Sequence, residues 1–253
     1  MTDRSNRRWY RESFPGAHAV LVVVHVTSSA QAVRNSRIAQ DAGADGVFLI
    51  NHGVDPSGAV LGSVWTDVTA ALPGWSVGVN NLGLPALETV RTWPSGLPAV
   101  WEDHTVRAAD GPRFGSARAR AVARAGLAEP PLLFGGVAFK YGGDETLRGD
   151  ALAELAAAST AFVDVVTTSG PGTGHPVDAN KITTMSAAVG DHPLAIASGI
   201  TVDNVADYLP HADCFLVASG ISRTFDELDP QAVKALVGRS EERRVGKECR
   251  SRW

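Results

Sequence analysis

The chain has 253 residues, of which 44% are hydrophobic and 20% charged, with 26 glycines. That much apolar surface excludes disorder as the general state, and the length suits one α/β barrel as well as two small domains. Lysine and arginine total 23 against 27 aspartate and glutamate, a formal net charge of −4, which disfavours a sequence-wide nucleic-acid binder.

Residues 1–18 read as an N-terminal extension, polar around Arg7-Arg8-Trp9-Tyr10-Arg11 and without a cleavage-type signal. The apolar run that follows is too short to span a bilayer. The two cysteines, Cys214 and Cys249, cannot build a disulfide framework. A cytoplasmic protein with no membrane span is expected.

From there, apolar β-branched runs recur at 19–26, 46–51, 76–80, 98–102, 132–140, 163–168, 193–197 and 212–217. Helical spacing fills the intervals, at 30–42, 57–72, 85–93, 113–127, 146–159, 177–189 and 202–209, with a last stretch at 230–237. Strand starts fall about 20 to 33 residues apart, the length of a βα unit. The runs are continuously apolar rather than alternating, so both faces of the sheet are buried, as in a parallel sheet covered by helices. Eight such units predict an α/β fold of the (β/α)8 TIM-barrel type, one domain over residues 19–238. An open doubly wound sheet would want a Gly-x-Gly-x-x-Gly turn after the first strand, and His25-Val26-Thr27-Ser28-Ser29 has none. Residues 239–253 carry an excess of basic side chains and no apolar face, and are expected to be a disordered, non-native tail.

Chemistry in a barrel of this kind gathers in the loops that follow the strands. Every predicted strand exit is polar or glycine: His25, Asn51-His52, Asn80, Glu102-Asp103-His104, Lys140-Tyr141, Ser169-Gly170-Pro171-Gly172-Thr173-Gly174, Ser198-Gly199 and Ser219-Gly220. A lysine leaving a strand toward the mouth, Lys140, can neutralise a phosphate or, if desolvated, act as a nucleophile. The cluster Glu102, Asp103 and His104 supplies tunable acid–base groups. The glycine-rich stretch and the turns at Gly199 and Gly220 can offer backbone amides to an anion, and loops after strands seven and eight are the usual phosphate-binding place in this architecture. Asp203 already complements the dipole of the seventh helix, so the anion is expected on the Gly199 and Gly220 amides.

The catalytic set is therefore Lys140, Asp103, His104 and Glu102. The ligand-binding set is His25, Asn51, Asn80, Ser169, Gly170, Gly172, Thr173, Gly174, Ser198, Gly199, Ser219 and Gly220. Turn and capping roles compete for the Ser and Asn members. No cofactor is expected. His25 and His52 with the acidic cluster could ligate a divalent metal, but no His-x-x-x-His spacing supports it.

Several stretches together resemble the BtpA/SgcQ family of barrel proteins, from about Val20 to Val237. They are Val24-His25, the Ala42-Gly43-Ala44-Asp45-Gly46-Val47 turn with Asn51, and Val77-Gly78-Val79-Asn80. The strongest are Asp164-Val165-Val166-Thr167-Thr168-Ser169-Gly170-Pro171-Gly172-Thr173-Gly174 and Ala197-Ser198-Gly199-Ile200-Thr201-Val202-Asp203-Asn204-Val205. The resemblance implies a (β/α)8 barrel. One branch of the family is named for photosystem I biogenesis and another is labelled as nucleoside- or sugar-processing enzymes. This chain departs from the pattern at Ile50, where a Glu is usual, at Tyr141, where a His is usual, and at Ser222-Arg223, where a Lys is usual.

Taken together, these residues predict an enzyme acting on a small phosphorylated or ribosyl/nucleoside-type metabolite, by isomerisation, lysis or glycosidic cleavage. The expected partner is a small anionic molecule, with no nucleic acid and with homo-oligomerisation left open. The alternative is a non-catalytic assembly or regulatory factor of the photosystem I biogenesis type.

Overall fold

Valine, leucine, isoleucine and phenylalanine fill the eight strands, and the chain folds them into one closed sheet. A computed structural model describes residues 6–52, 58–93, 96–110, 126–127 and 130–241. The strands are β1 Ala19–His25, β2 Gly46–Ile50, β3 Ser76–Asn80, β4 Ala99–Val106, β5 Leu132–Val137, β6 Val165–Thr168, β7 Leu194–Ile196 and β8 Cys214–Val217. Each pairs in parallel with the next, and β8 with β1, closing a (β/α)8 barrel in chain order. The α-helices among the described residues are α1 Asn6–Ser13, α2 Ser29–Asp41, α3 Ala59–Ala71, α4 Ala86–Thr92, α5 Gly149–Ser159, α6 Ala179–Val189, α7 Val205–Tyr208 and α8 Pro230–Glu241, with 3-10 turns at Ala108–Asp110 and Ser219–Ile221.

Side chains alternate along a strand, and here both sets are buried. On β1, Val20, Val22 and Val24 pack outward under the helices. Ala19, Leu21 and Val23 point inward to join Phe48, Trp101, Phe134 and Phe139. Phe48 contacts Phe134 edge-on at 5.1 Å and Trp101 at 5.8 Å. The lower barrel is thus a packed core.

Three aspartates tie strand entrances together. Asp45 accepts from the Val20 amide at 2.8 Å, Asp164 from Leu133 at 2.8 Å and Asp213 from Leu194 at 3.1 Å. Each stands just before a strand and holds the start of its neighbour, a charge-assisted bond at the end of the barrel remote from the mouth. The Gly-Ala-Asp-Gly turn is explained by this role.

The N-terminal extension is structural. α1 lies across the floor of the barrel, burying Tyr10 and Phe14 to 1% and 2% exposure. The Tyr10 hydroxyl donates to the Asp213 carbonyl at 2.9 Å, and Cys214 sits beside it, fully buried.

Element ends differ from the sequence expectation at informative places. β5 stops at Val137 instead of reaching Lys140, because Ala138 turns into the left-handed region at φ 48°. β4 runs on to Val106 through a bulge in which four steps on β4 match two on β5. α8 continues to Glu241, into the segment set aside as a tail, whereas residues 242–253 lie outside the described residues. The helix expected over 113–127 also falls almost wholly outside them. No helix among the described residues is long and apolar enough to cross a membrane.

Candidate active site at the barrel mouth

The strand exits enclose a cavity of about 470 Å³. Val23, Ile50, Trp101 and Leu216 form its apolar base, and the loops above supply the polar groups. Of the residues expected to act chemically, Lys140 and Asp103 line this cavity. Of those expected to bind ligand, His25, Thr173, Gly174, Ser198, Gly199, Ser219 and Gly220 do so.

Glu102, Asp103 and His104 together line a more open hollow with Asn80 and Asn81, and of the three Asp103 alone also lines the main cavity. Glu102 accepts from the Ala86 amide at 3.3 Å, at the start of α4.

Several ligand-binding candidates instead build the walls. Asn51 donates to the Asn81 side chain at 3.0 Å and accepts from the Leu82 amide at 2.8 Å, shaping the loop after β3. Asn80 donates to the Asp103 carboxylate at 2.9 Å. Ser169 accepts from the Lys140 amide at 2.8 Å and donates to the Gly170 carbonyl at 3.0 Å. Gly170 donates its amide to Ser198 Oγ at 2.7 Å, and Ser198 returns a bond to the His175 carbonyl at 3.2 Å. Asn51, Asn80, Ser169, Gly170 and Gly172 do not line the main cavity. The capping alternative describes these Ser and Asn members.

The loops after β6, β7 and β8 converge. Thr201 Oγ1 accepts from the Asn204 amide at 3.3 Å, while Asn204 accepts from the Thr201 amide and donates to the Gly199 carbonyl, both at 2.8 Å. Gly199 is held at φ +65°, where a Cβ would stand 2.3 Å from the His175 backbone, and a Cβ on Gly220 would stand 1.9 Å from the Ile200 carbonyl oxygen. Only glycine fits either place. The amides of Gly174 and Gly199 donate to no acceptor among the described residues.

Opposite them sit the charged groups. Burial raises the Asp103 pKa, against the Asn80 hydrogen bond and the positive field of Lys140, which lower it. Burial lowers the Lys140 pKa, with Asp103 opposing. The Lys140 ammonium reaches Thr173 Oγ1 at 3.3 Å. His25 Nδ1 stands 2.8 Å from the Phe225 carbonyl. A carbonyl only accepts, so Nδ1 carries the proton and Nε2 is an acceptor. Burial, then the neighbouring His52, pushes His25 down to about 4.

Behind the mouth, buried Lys181 of α6 donates to the Ala138 and Ser169 carbonyls. It was not expected from sequence, since one lysine in an amphipathic helix reads as a surface residue. Tyr141, His52, Leu82 and Phe225 also line the cavity. Among the described residues, no group of three or more His, Cys, Asp or Glu is placed to hold a metal ion.

No family model matches the chain, and no curated protein matches it in sequence. Solved structures do match in shape. Phosphoribosylanthranilate isomerase of Thermotoga maritima superposes with a TM-score of 0.63 at 14% identity, covering 89% of this chain and 99% of its own. The (S)-3-O-geranylgeranylglyceryl phosphate synthase of Thermoplasma acidophilum, solved with sn-glycerol-1-phosphate, gives 0.62 at 15% identity, covering 93% and 98%. The 2-keto-3-deoxy-6-phospho-gluconate aldolase of Zymomonas mobilis gives 0.59 at 14% identity, covering 88% and 92%. At these identities the likeness is one of fold, the single-domain (β/α)8 barrel.

Proposed function

We propose that the chain is an enzyme that binds a small phosphorylated metabolite, of sugar-phosphate or ribosyl/nucleoside type, at the barrel mouth. The observation that carries this reading is that Gly174 and Gly199, whose amides have no acceptor among the described residues, line with Gly220 and Ser219 the cavity that also holds Asp103 and Lys140. Backbone amides at fixed loops suit a phosphate, because they carry no rotamer entropy and their positive ends are already aimed. The phosphate-ester names of the fold neighbours support the same choice. So does the resemblance of residues 164–174 and 197–205 to the BtpA/SgcQ family, which covers the loops after β6 and β7.

The acid–base work falls to Asp103 and Lys140. Burial raises the Asp103 pKa and lowers that of Lys140, which narrows the gap between a carboxylate that accepts a proton and an ammonium that donates one. Asn80 fixes the carboxylate by its hydrogen bond. Isomerisation, lysis and glycosidic cleavage all need such a pair. A non-catalytic assembly factor has no use for two desolvated charges in a cavity, whose burial costs stability.

Isothermal titration with ribose 5-phosphate tests the reading. Saturable binding that Gly199→Ala abolishes and Lys140→Met weakens is expected; heat-free titrations with every sugar phosphate tried would remove it.

A further inference from the structure

The rim of the cavity divides into two arcs of different chemistry. Because the strands close in chain order, the loops after β5, β6 and β7, with the turn at the exit of β8, lie together. They bear Lys140, Thr173, Gly174, Gly199 and Gly220. The remaining arc follows β1, β2 and β3 and bears His25, His52 and Leu82. Phe225 joins this second arc from the loop beyond β8.

Phe225 is held there. Its loop is pinched by an antiparallel bridge between Ser222 and Leu228. Gln31 and Asn35 of α2 both donate to the Asp226 carbonyl, at 2.6 and 2.7 Å. The ring stands 4.1 Å from that of His25 and 5.0 Å from that of His52, and the two imidazoles are 4.6 Å apart. Yet Phe225 is 61% exposed and Leu82 44% exposed. Large apolar side chains fixed in the open around a cavity indicate a surface that something covers.

Burial disfavours the charged form of both imidazoles, with Asp226 opposing at His25 and Asp103 at His52, and the arc presents aromatic ring faces and edges. A planar ring meets such a surface through offset or edge contacts that a flexible chain cannot reproduce.

Resting on the anion reading above, we infer that the ligand carries an uncharged planar ring as well as its phosphate, and that this ring lies against Phe225, His25, His52 and Leu82. The phosphate occupies the amide arc and the reacting bond lies between the two, beside Asp103 and Lys140.

Titration calorimetry on the full chain with inorganic phosphate, n-hexyl phosphate, benzyl phosphate and uridine 5′-monophosphate tests the inference. At least one ring ester is expected to bind tenfold or more tightly than inorganic phosphate and several-fold more tightly than the hexyl ester. The ratio of ring ester to phosphate affinity should collapse in Phe225→Ala and persist in Phe225→Trp; the exposed position makes both variants tolerable to the fold. Phosphate binding with no advantage for either ring ester over the hexyl ester overturns this inference alone, as does an advantage that survives Phe225→Ala. Absence of binding for all four probes overturns the anion reading, and this inference with it.

Discussion

Lys181 reaches inward from α6 and donates to the Ala138 carbonyl at 2.6 Å and the Ser169 carbonyl at 2.8 Å. One buried ammonium thereby clamps the two turns that carry Lys140 and the glycine-rich loop. It also holds Ala138 in a left-handed conformation that a non-glycine residue adopts at a cost of roughly 1–3 kcal/mol. Burial pushes Lys181 from 10.5 down to about 8. Between those values the unfolded chain keeps a proton that the folded chain has lost, so stability rises with pH across that window, by about 3 kcal/mol at most. Urea unfolding at pH 7.5 and 10 should show wild type gaining on Lys181→Met as pH rises; Tyr10 and Cys214 act alike in both proteins. Parallel behaviour of the two would mean that burial does not lower the Lys181 pKa, the result expected if the two carbonyls fully compensate its ammonium form.

At the opposite end of the scale, His25 opposes acid. Its folded value of about 4 lies below the ordinary 6.5, so the unfolded chain takes up a proton first as pH falls. Stability is lost between pH 6.5 and 4, again by about 3 kcal/mol at most. His25→Gln removes this dependence, and the difference between wild type and variant in urea midpoint should change across that window and level off on either side. A constant difference from pH 7 to pH 4 would count against it.

Substitution at the glycine turns should damage both fold and binding. Alanine at Gly199 incurs the left-handed penalty, about 1 kcal/mol, and a clash with the His175 backbone on top of it. Gly220→Ala meets the Ile200 carbonyl oxygen. Melting temperatures lowered by several degrees, with loss of sugar-phosphate binding at temperatures where the variants remain folded, are expected.

The Asn80–Asp103 bond is testable without knowing the reaction. The Asn80 amide stabilises the ionised carboxylate, so Asn80→Ala should raise the Asp103 pKa further. Carbon-13 NMR titration of aspartate carboxyls reads the shift directly, with Asp103→Asn assigning the resonance. An unchanged or lowered value would remove Asn80 from its positioning role.

The barrel was legible because its strands are apolar on both faces, and the βα rhythm survives small errors at element ends. β3 was placed to the residue at 76–80. Lys140, Asp103, His25 and the glycine turns could be found because strand exits in this architecture converge whatever the loops contain. Glu102, Asp103 and His104 share one hollow beside the mouth, and nothing in three adjacent letters records that Asp103 alone also reaches the main cavity. Phe225 was out of reach, since nothing in Ser222-Arg223-Thr224-Phe225 records that Gln31 and Asn35 will draw that loop over the mouth. The floor helix left a readable trace, the apolar Tyr10 within it and Phe14 four residues on, just past its end, among arginines.

That floor helix has a practical consequence. Cys214 sits sealed beneath it, its thiol pushed upward by burial, and a buried thiol reacts only when its cover departs. In a Cys249→Ser background, the labelling rate of Cys214 by a thiol reagent becomes a clock for undocking of α1. It can be read while the circular dichroism of the barrel is still intact.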